Sequence, residues 1–357
     1  LIKNELLEVT ELVINSGNYI LGEYVQKFEE EFAAYCGVSH AISVGNGSDG
    51  LKILMKSLGI GSGDEVVCPA NSFIASAWSI IDAGAKPVFC DVENDLLLSL
   101  ETIQSCISHK TKAVMAVHLT GKLCVGDDLL DYCKDNNILF IEDAAQAIGA
   151  SNPNGQMAGS FGIGASFSMH PLKNLAVYGD GGIVTTKSFE LAKEMRILRN
   201  HGLINRDECM KWGFNSRLDE LQAAYALIKL KYIDSWNKKY ISIAEKYNQS
   251  LSNKVLKPST KLNYTDIFHN YIIRVPTEVR DKIIFLLLEA GIETKIHYPI
   301  PLHLQKCSSN LGYKPGDFKN TEMFSQSMIS LPIYHTLKTF EVEYIIESFN
   351  HIVDMLI

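Results

Sequence analysis

A lysine set between a proline and a run of glycines is the first feature of this chain that could do chemistry. The stretch Ser168-Met169-His170-Pro171-Leu172-Lys173-Asn174-Leu175 is followed by Gly179-Asp180-Gly181-Gly182. The apolar segment from Gly162 to Phe167 leads into it and predicts a buried strand. Pro171 interrupts regular hydrogen bonding, so Lys173 is expected on a turn. Burying an ammonium without a partner is unfavourable. Desolvation lowers a lysine pKa and leaves a nucleophilic amine. The glycines let the backbone pass close to a bulky group before the strand Ile183 to Thr186. Taken alone, the stretch also reads as a surface loop.

Three further sites could work with such a lysine. Gly45-Asn46-Gly47-Ser48-Asp49-Gly50 joins a strand, Ala41 to Val44, to a helix from Leu51 to about Leu58. Strand, glycine loop and helix together point free N–H groups and a helix dipole at a phosphate. The spacing also satisfies G-x-G-x-x-G, the dinucleotide fingerprint, and equally fits a tight turn with no ligand. Phe73 follows Asn71 and Ser72 after the strand Val66 to Cys68, and Asp143 follows Glu142 after the strand Ile138 to Ile141. In this order the four sites meet the needs of pyridoxal phosphate. Gly47, Ser48 and Asp49 offer donors for its phosphate, Phe73 a face for its ring, Asp143 a partner for its pyridinium, and Lys173 an amine for its aldehyde. Each has a plainer reading as well, Phe73 as core and Asp143 as a helix cap.

The elements that must position these residues alternate. Strands at Val66–Cys68, Val88–Cys90, Ala113–Val117 and Ile138–Ile141 are separated by helices at Ile74–Ala83, Ser99–Cys106 and Leu129–Asp135. Such alternation predicts an α/β fold, a mostly parallel central sheet flanked by helices, with ligands beyond the carboxyl ends of the strands. Ahead of it, Val25, Phe28, Phe32 and Tyr35 predict an amphipathic helix over residues 23–36, with Glu29, Glu30 and Glu31 mostly on its solvated side. Helices are expected at Phe189–Arg199, Leu218–Tyr232 and Tyr240–Leu251. The pattern then changes, with strands at Tyr271–Val275 and Thr294–His297 and helices at Val279–Ala290 and Phe340–Ile357. This predicts a large cofactor-binding α/β domain over residues 1–235 and a smaller C-terminal α+β domain over residues 236–357.

Composition narrows the function classes. Hydrophobic residues make up 46% and charged residues 21% of the 357, ordinary values for a globular enzyme. A net charge of -8 speaks against a general nucleic-acid partner. No apolar run is long enough to span a bilayer, so no membrane partner is expected. Eight scattered cysteines with no C-x-x-C pair suggest reduced thiols and a cytoplasmic protein. Ten dispersed histidines, none in H-x-x-x-H, give no reason to expect a metal. The first residue is Leu1 rather than Met, which allows for residues ahead of it.

Over nearly its whole length the chain resembles the DegT family of sugar aminotransferases, pyridoxal-phosphate enzymes of fold type I. The resemblance rests on Ser16-Gly17 with Ile20-Leu21-Gly22, Phe28 to Phe32, Asn46-Gly47-Ser48 and Ile141 to Ala147. It rests also on Ser168 to Lys173 with Gly179 to Gly182, Arg199 to Gly202, Gly213 to Leu218 and His297 to His303. It implies that Lys173 forms the covalent link to pyridoxal 5'-phosphate and that Asp143 pairs with the pyridinium. Phe73 would stack on the ring and Gln146 would lie near its hydroxyl. Ser48, the Asp49 amide and Ser168 would hold the phosphate. Asn215 would reach the phosphate of a neighbouring subunit, implying a homodimer with shared active sites. Tyr19, His297, Tyr298 and His303 would approach the substrate. Departures are Met169 in place of an aromatic, Thr120 and Lys122 in place of Tyr and Gln, and Cys124 to Asp127 in place of Met-Asp.

The reading that follows is an aminotransferase moving an amino group from L-glutamate to a keto group of a nucleotide-activated hexose, at C3 rather than C4. A cyclitol ketone is a further possible acceptor. A sugar dehydratase of the same family is disfavoured, because similar dehydratases carry histidine at the lysine position. An NAD(P)-dependent sugar oxidoreductase, read from the glycine loop, gives Lys173 no role. A non-catalytic regulator would bind cofactor or sugar nucleotide without turnover.

Overall fold

The structure, a computed structural model, describes residues 2–357. Seven strands form one sheet in the order β1 (His40–Val44), β7 (Gly182–Thr186), β6 (Gly164–Ser168), β5 (Leu139–Asp143), β4 (Thr111–Val117), β2 (Glu65–Pro69) and β3 (Lys86–Cys90). Only β7 runs against its neighbours, β1 and β6; the other adjacent pairs are parallel. The expected α/β architecture is present. Strands covered on both faces need continuous apolar runs, and Ala113 to Val117 is buried throughout. Phe28, Phe32 and Phe167 belong to one apolar cluster, and Ile42, Leu54 and Phe89 to another.

This topology decides where the chemistry collects. Because β2, β4, β5 and β6 are parallel, their carboxyl ends lie along one edge of the sheet. Two antiparallel steps across β7 bring the end of β1 to the same edge, with Val44 and Ser168 both opposite Gly182. The segments after β1, β2, β5 and β6 carry Gly47–Asp49, Phe73, Asp143–Gln146 and Lys173. Residues more than a hundred positions apart are thereby gathered at one edge.

The C-terminal part has its own two-stranded antiparallel sheet, β8 (Tyr271–Arg274) with β9 (Met328–Leu331). It packs with Tyr247, Ile283 and Phe349. The expected strand Thr294–His297 is corrected to one isolated bridge, Lys295 to Ser330, and β9 supplies the second strand instead. The expected domain division after residue 235 falls inside one continuous helix, Ile233–Ser250. Ile233 packs in the large core and Ile243 in the C-terminal one. Leu302 and Phe318 return to the other sheet cluster, with Ile42 and Phe89.

The helix over residues 23–36 is Glu23–Cys36, labelled α1 here, and its polar side differs from expectation. Glu29 is buried, not solvated. It accepts from the Ser43 amide at 3.0 Å and hydroxyl at 2.8 Å, and it pairs with Arg199. Arg199 ends a second helix, α2 (Phe189–Arg199), and also donates to the Ser43 carbonyl oxygen at 2.7 Å. The helical spacing was right; a buried cation 170 positions away reversed the preference of one carboxylate for water. Glu220 plays a related role from a third helix, α3 (Glu220–Leu230). Its carboxylate accepts from the amides of Gly22 at 2.9 Å, Tyr24 at 2.6 Å and Val25 at 3.2 Å. It satisfies free donors at the start of α1, which has no side-chain cap of its own.

Removing one partner of a buried ion pair leaves the other charge uncompensated, at a cost of about 3–5 kcal/mol. Arg199→Met is therefore expected to lower the unfolding midpoint sharply. Combining it with Glu29→Gln should cost less than the sum of the single changes, and urea unfolding of all four proteins measures that coupling.

Candidate active site

Asp143 is the last residue of β5 and is buried. Oδ2 accepts from the Ser76 hydroxyl at 2.7 Å, and Oδ1 from the Ala145 amide at 3.2 Å. Ser76 lies 2.7 Å from the Ser72 hydroxyl. Two donors thus orient the carboxylate without neutralising it. Beside it, Glu142 is fully buried and accepts from His118 Nε2 at 2.9 Å and from the amides of Gly159, Phe161 and Gly162 at 2.7–2.9 Å. His118 Nδ1 accepts from the Cys124 amide at 3.0 Å, so its proton sits on Nε2, facing Glu142. Glu142 therefore braces the loops after β4 and β5, and Asp143 is the carboxylate left for the site.

Lys173 stands on the expected turn, closed by its amide donating to the His170 carbonyl oxygen at 2.8 Å. Burial lowers its pKa, while the nearby Asp143 carboxylate pulls the other way. No protein group forms a salt bridge with Lys173 among the described residues. Met169, the departure from the expected aromatic, is buried in the core with Leu175 and Val177.

Tyr298 crosses from the C-terminal part onto this edge. Its hydroxyl accepts from Gln146 Nε2 at 3.2 Å, and its ring centroid is 5.8 Å from that of Phe73. Gln146 Oε1 accepts from the Thr120 amide at 2.8 Å. Burial, reinforced by Asp143, pushes the Tyr298 hydroxyl well above its ordinary range. Phe73 keeps an exposed ring at the start of the helix Ile74–Ala83. His297 Nδ1 lies 2.8 Å from the Ser330 hydroxyl. Burial first, then the charges of Lys173 and Lys295, lower the His297 pKa to about 4. Burial also holds His269 neutral, again with Lys173 and His297 as contributors.

The anion cradle is narrower than expected. The helix begins at Gly47, and its Asn46 cap accepts the Asp49 amide at 2.8 Å. The Asp49 amide is therefore occupied, a correction to its expected phosphate role. Its carboxylate takes the Ser216 hydroxyl at 2.7 Å and Lys52 at 3.0 Å. The first amides of that helix and the hydroxyls of Ser48 and Ser168 remain for an anion. A Cβ on Gly47 would lie 2.9 Å from Ser168 Cβ, and one on Gly182 would collide with the Asn46 carbonyl group. The glycines at these positions are what allow the helix start to meet β6 and β7. Gly50 likewise faces Ser166 and Val184. The dinucleotide reading loses its footing here, because β1 is an edge strand paired only with antiparallel β7.

Three expected residues are not drawn into this cluster. His303 is buried, bonded to Glu322 at 3.0 Å and packed edge-on against Phe318 at 4.7 Å. It props the preceding loop rather than lining the site. Tyr19 is exposed and donates to the Ile14 carbonyl oxygen at 3.3 Å. Asn215 is exposed, bridged through its backbone to Asn200. Sequence reasoning missed Ser76, His118 and His269. Ser76 was within reach, one helical turn after Phe73. His269, 96 positions from Lys173, carried no local signal.

A parallel α/β sheet whose edge sets a desolvated lysine against a buried carboxylate, with a helix start beside them, is the layout of the fold-type I transferases. The chain belongs to the DegT/DnrJ/EryC1/StrS aminotransferase family, whose model matches residues 1–350. It is an aminotransferase. It is 39% identical over 350 residues to a dTDP-3-amino-3,6-dideoxy-alpha-D-galactopyranose transaminase of Aneurinibacillus thermoaerophilus, covering 98% of this chain and 95% of the relative. It is 38% identical over 352 residues to a pleiotropic regulatory protein of Geobacillus stearothermophilus, covering 97% and 94%. The crystal structure of S. venezuelae DesV in complex with a ketimine intermediate superposes with a TM-score of 0.95 at 35% identity, over 98% of this chain and 94% of that one. NtdA of Bacillus subtilis, solved with bound cofactor PMP, gives 0.91 at 29% identity, over 98% and 82%.

A histidine held neutral by the fold binds fewer protons than its unfolded counterpart between about pH 4 and the ordinary imidazole value near 6.5. Its contribution to stability is present above that window and is lost as pH falls through it. The thermal midpoint should therefore drop on acidification from pH 6.5 to 4, and His297→Asn should flatten that part of the profile.

Proposed function

We propose that this aminotransferase uses pyridoxal 5'-phosphate to move an amino group from L-glutamate to the C3 keto group of a nucleotide-activated hexose. The observation that carries the reading is the placement at one sheet edge of Lys173, its pKa lowered by burial, together with the buried, oriented Asp143. When bound, the cofactor supplies an aldehyde to carry the amino group and a ring to withdraw electrons. The residues fit such a group. Ser48, the first amides of its helix and Ser168 at the end of β6 would hold its phosphate, Phe73 and Tyr298 would flank its ring, and Gln146 would lie beside it. Asn71 Nδ2, buried without a protein partner among the described residues, adds an unused donor after β2.

Within this chain, Asp143 would hold a proton on the ring nitrogen, kept in place by Ser76 and the Ala145 amide. Lys173 would take a proton from the donor's Cα and deliver it to the carbon that bore the aldehyde, then reverse the transfer on the acceptor. The low affinity of its amine for a proton suits both directions. Tyr298 and His297 would limit water and meet the sugar. The nucleotide-sugar acceptor and the C3 position are supported by the transaminase relatives and by the His297–His303 loop; the glutamate donor is supported by the family likeness. We also infer a homodimer with Asn215 reaching the partner's site. Its exposed side chain adjoins a projecting loop with Trp212 96% and Met210 59% exposed. The eight free thiols suit a reducing, cytoplasmic setting. No helix is long and apolar enough to cross a membrane among the described residues.

The pleiotropic regulatory relative favours a second reading, in which the aminotransferase also has a regulatory role. Borohydride reduction of the loaded protein, followed by peptide mapping, should place the cofactor on the Lys173 peptide alone. Lys173→Ala should lose that label and transaminate at least about 10²–10⁴-fold more slowly with glutamate and a keto-sugar nucleotide panel. A wild-type protein that is labelled but turns over no member of the panel overturns the nucleotide-sugar acceptor. A label on Lys122 or Lys187 overturns the assignment of Lys173.

Shared sites have their own signature. Asn215→Ala and Lys173→Ala, each weak alone, should partly complement after subunit exchange at limiting cofactor. Exchange verified by mass without recovery shows that each site is built from one chain.

A further inference from the structure

A hydrogen-bonded relay runs away from Lys173 and ends on a backbone carbonyl. Asn237 Nδ2 donates to the Ile148 carbonyl oxygen at 2.9 Å. A carbonyl oxygen can only accept, so this contact fixes which way the Asn237 amide is turned. Asn237 Oδ1 must then accept, and it takes Asn174 Nδ2 at 3.0 Å. Asn174 Oδ1 is left as an acceptor and lies 3.1 Å from His269 Nδ1. His269 must therefore carry its proton on Nδ1. Its Nε2 keeps a lone pair and has no protein hydrogen-bond partner among the described residues. Asn174 and Asn237 are both buried, so water does not compete freely for the relay.

Asn174 directly follows Lys173 in the chain. We propose that His269 is a positioning residue for Lys173: the relay clamps the turn from which the lysine projects and leaves an uncharged acceptor, Nε2, free for the lysine amine. The inference rests on the reading of Lys173 as the reactive amine. Such an amine must be neutral to attack, must hold a proton for a moment, and must give it back. A neutral lone pair stabilises the protonated form without adding a charge that would fix it there. The groups acting on Lys173 and its neighbours divide clearly. Asp143 favours the ammonium. His297 and His269 lie within charge range of it and are held neutral, and Lys295 acts on His297 from the outer side. Near neutral pH, His269 thus acts as an acceptor and not as a positive charge.

The test uses the protein without added cofactor. The rate at which Lys173 is acetylated by acetic anhydride is followed against pH by peptide mass mapping, and its midpoint gives the amine pKa. His269→Asn keeps a donor for Asn174 at the Nδ1 position and removes the distal acceptor. Its midpoint should fall by about half to one pH unit. His269→Gln restores an amide near the Nε2 position and should bring the midpoint back toward wild type. A packing role alone would move neither. Equal midpoints in wild type and folded His269→Asn overturn the proposal. Nitrogen-15 spectra of histidine-labelled wild type give a second measurement that needs no variant. A protonated Nδ1 with a bare Nε2 near neutral pH is expected, and the reverse tautomer or an imidazolium overturns it. Aliquots loaded with pyridoxal phosphate and reduced with borohydride separate the two levels. A label away from Lys173 defeats the functional reading, whereas a label on Lys173 with an unmoved midpoint defeats the role of His269 alone.

Discussion

The structure depends on a lysine and an aspartate kept near each other without being allowed to pair. A lysine and a carboxylate in direct contact would form an ion pair, and the amine would stay protonated. Here Asp143 is occupied by the Ser76 hydroxyl and the Ala145 amide, while Lys173 is drawn out of water on a proline turn. Burial and the carboxylate act on the lysine in opposite directions, and burial is the larger. The result is a lysine of lowered pKa in the electrostatic range of an oriented carboxylate. Much of the surrounding polar structure maintains this separation. Glu142 takes three backbone amides and His118, leaving its neighbour Asp143 free of those demands.

The sheet brings the two together, and its single antiparallel strand matters to that. β7 reverses direction between β1 and β6, so the carboxyl ends of β1 and β6 meet at the same edge. The helix start after β1 then sits against Ser168, with Gly47 and Gly182 providing the clearance. Buried charge secures the outer layer. Glu29 and Arg199 tie two helices to β1, and Glu220 holds the start of α1. Such groups are costly to bury and costlier to break, so they favour one arrangement of these helices over others.

Much of this was legible in the residues. The alternation of apolar runs with glycine and proline punctuation gave the parallel sheet. Pro171 marked the turn under Lys173, and the strand-end position of Asp143 marked its place at the carboxyl edge of the sheet. What escaped the reading depends on partners distant in sequence. Glu29 looks solvated until Arg199 is placed beside it. The Asp49 amide looks free until Asn46 is seen to cap the helix. The segment Thr294–His297 has the composition of a strand but makes only a single bridge, to Ser330 of β9, whose ladder is with β8. His303 shares a motif with Tyr298 yet turns into the core, where Glu322 and Phe318 receive it. Local pattern carries the periodicity of an element. It does not carry the choice among buried polar partners.

The loop bearing His297 and Tyr298 is fastened at both ends. The Lys295 amide donates to the Ser330 carbonyl oxygen at 3.2 Å, and the Leu302 amide donates to that of Ala70 at 2.9 Å. Neither fastening uses the side chains between them. A segment held by its backbone can exchange those side chains while its course over the site is preserved. The floor below, built from β5 and the Lys173 turn, has less freedom, because Glu142, Asp143 and Asn174 already hold fixed polar partners. Divergence of this scaffold toward new acceptors can therefore proceed by rewriting a few consecutive codons at the mouth, with the machinery beneath inherited unchanged.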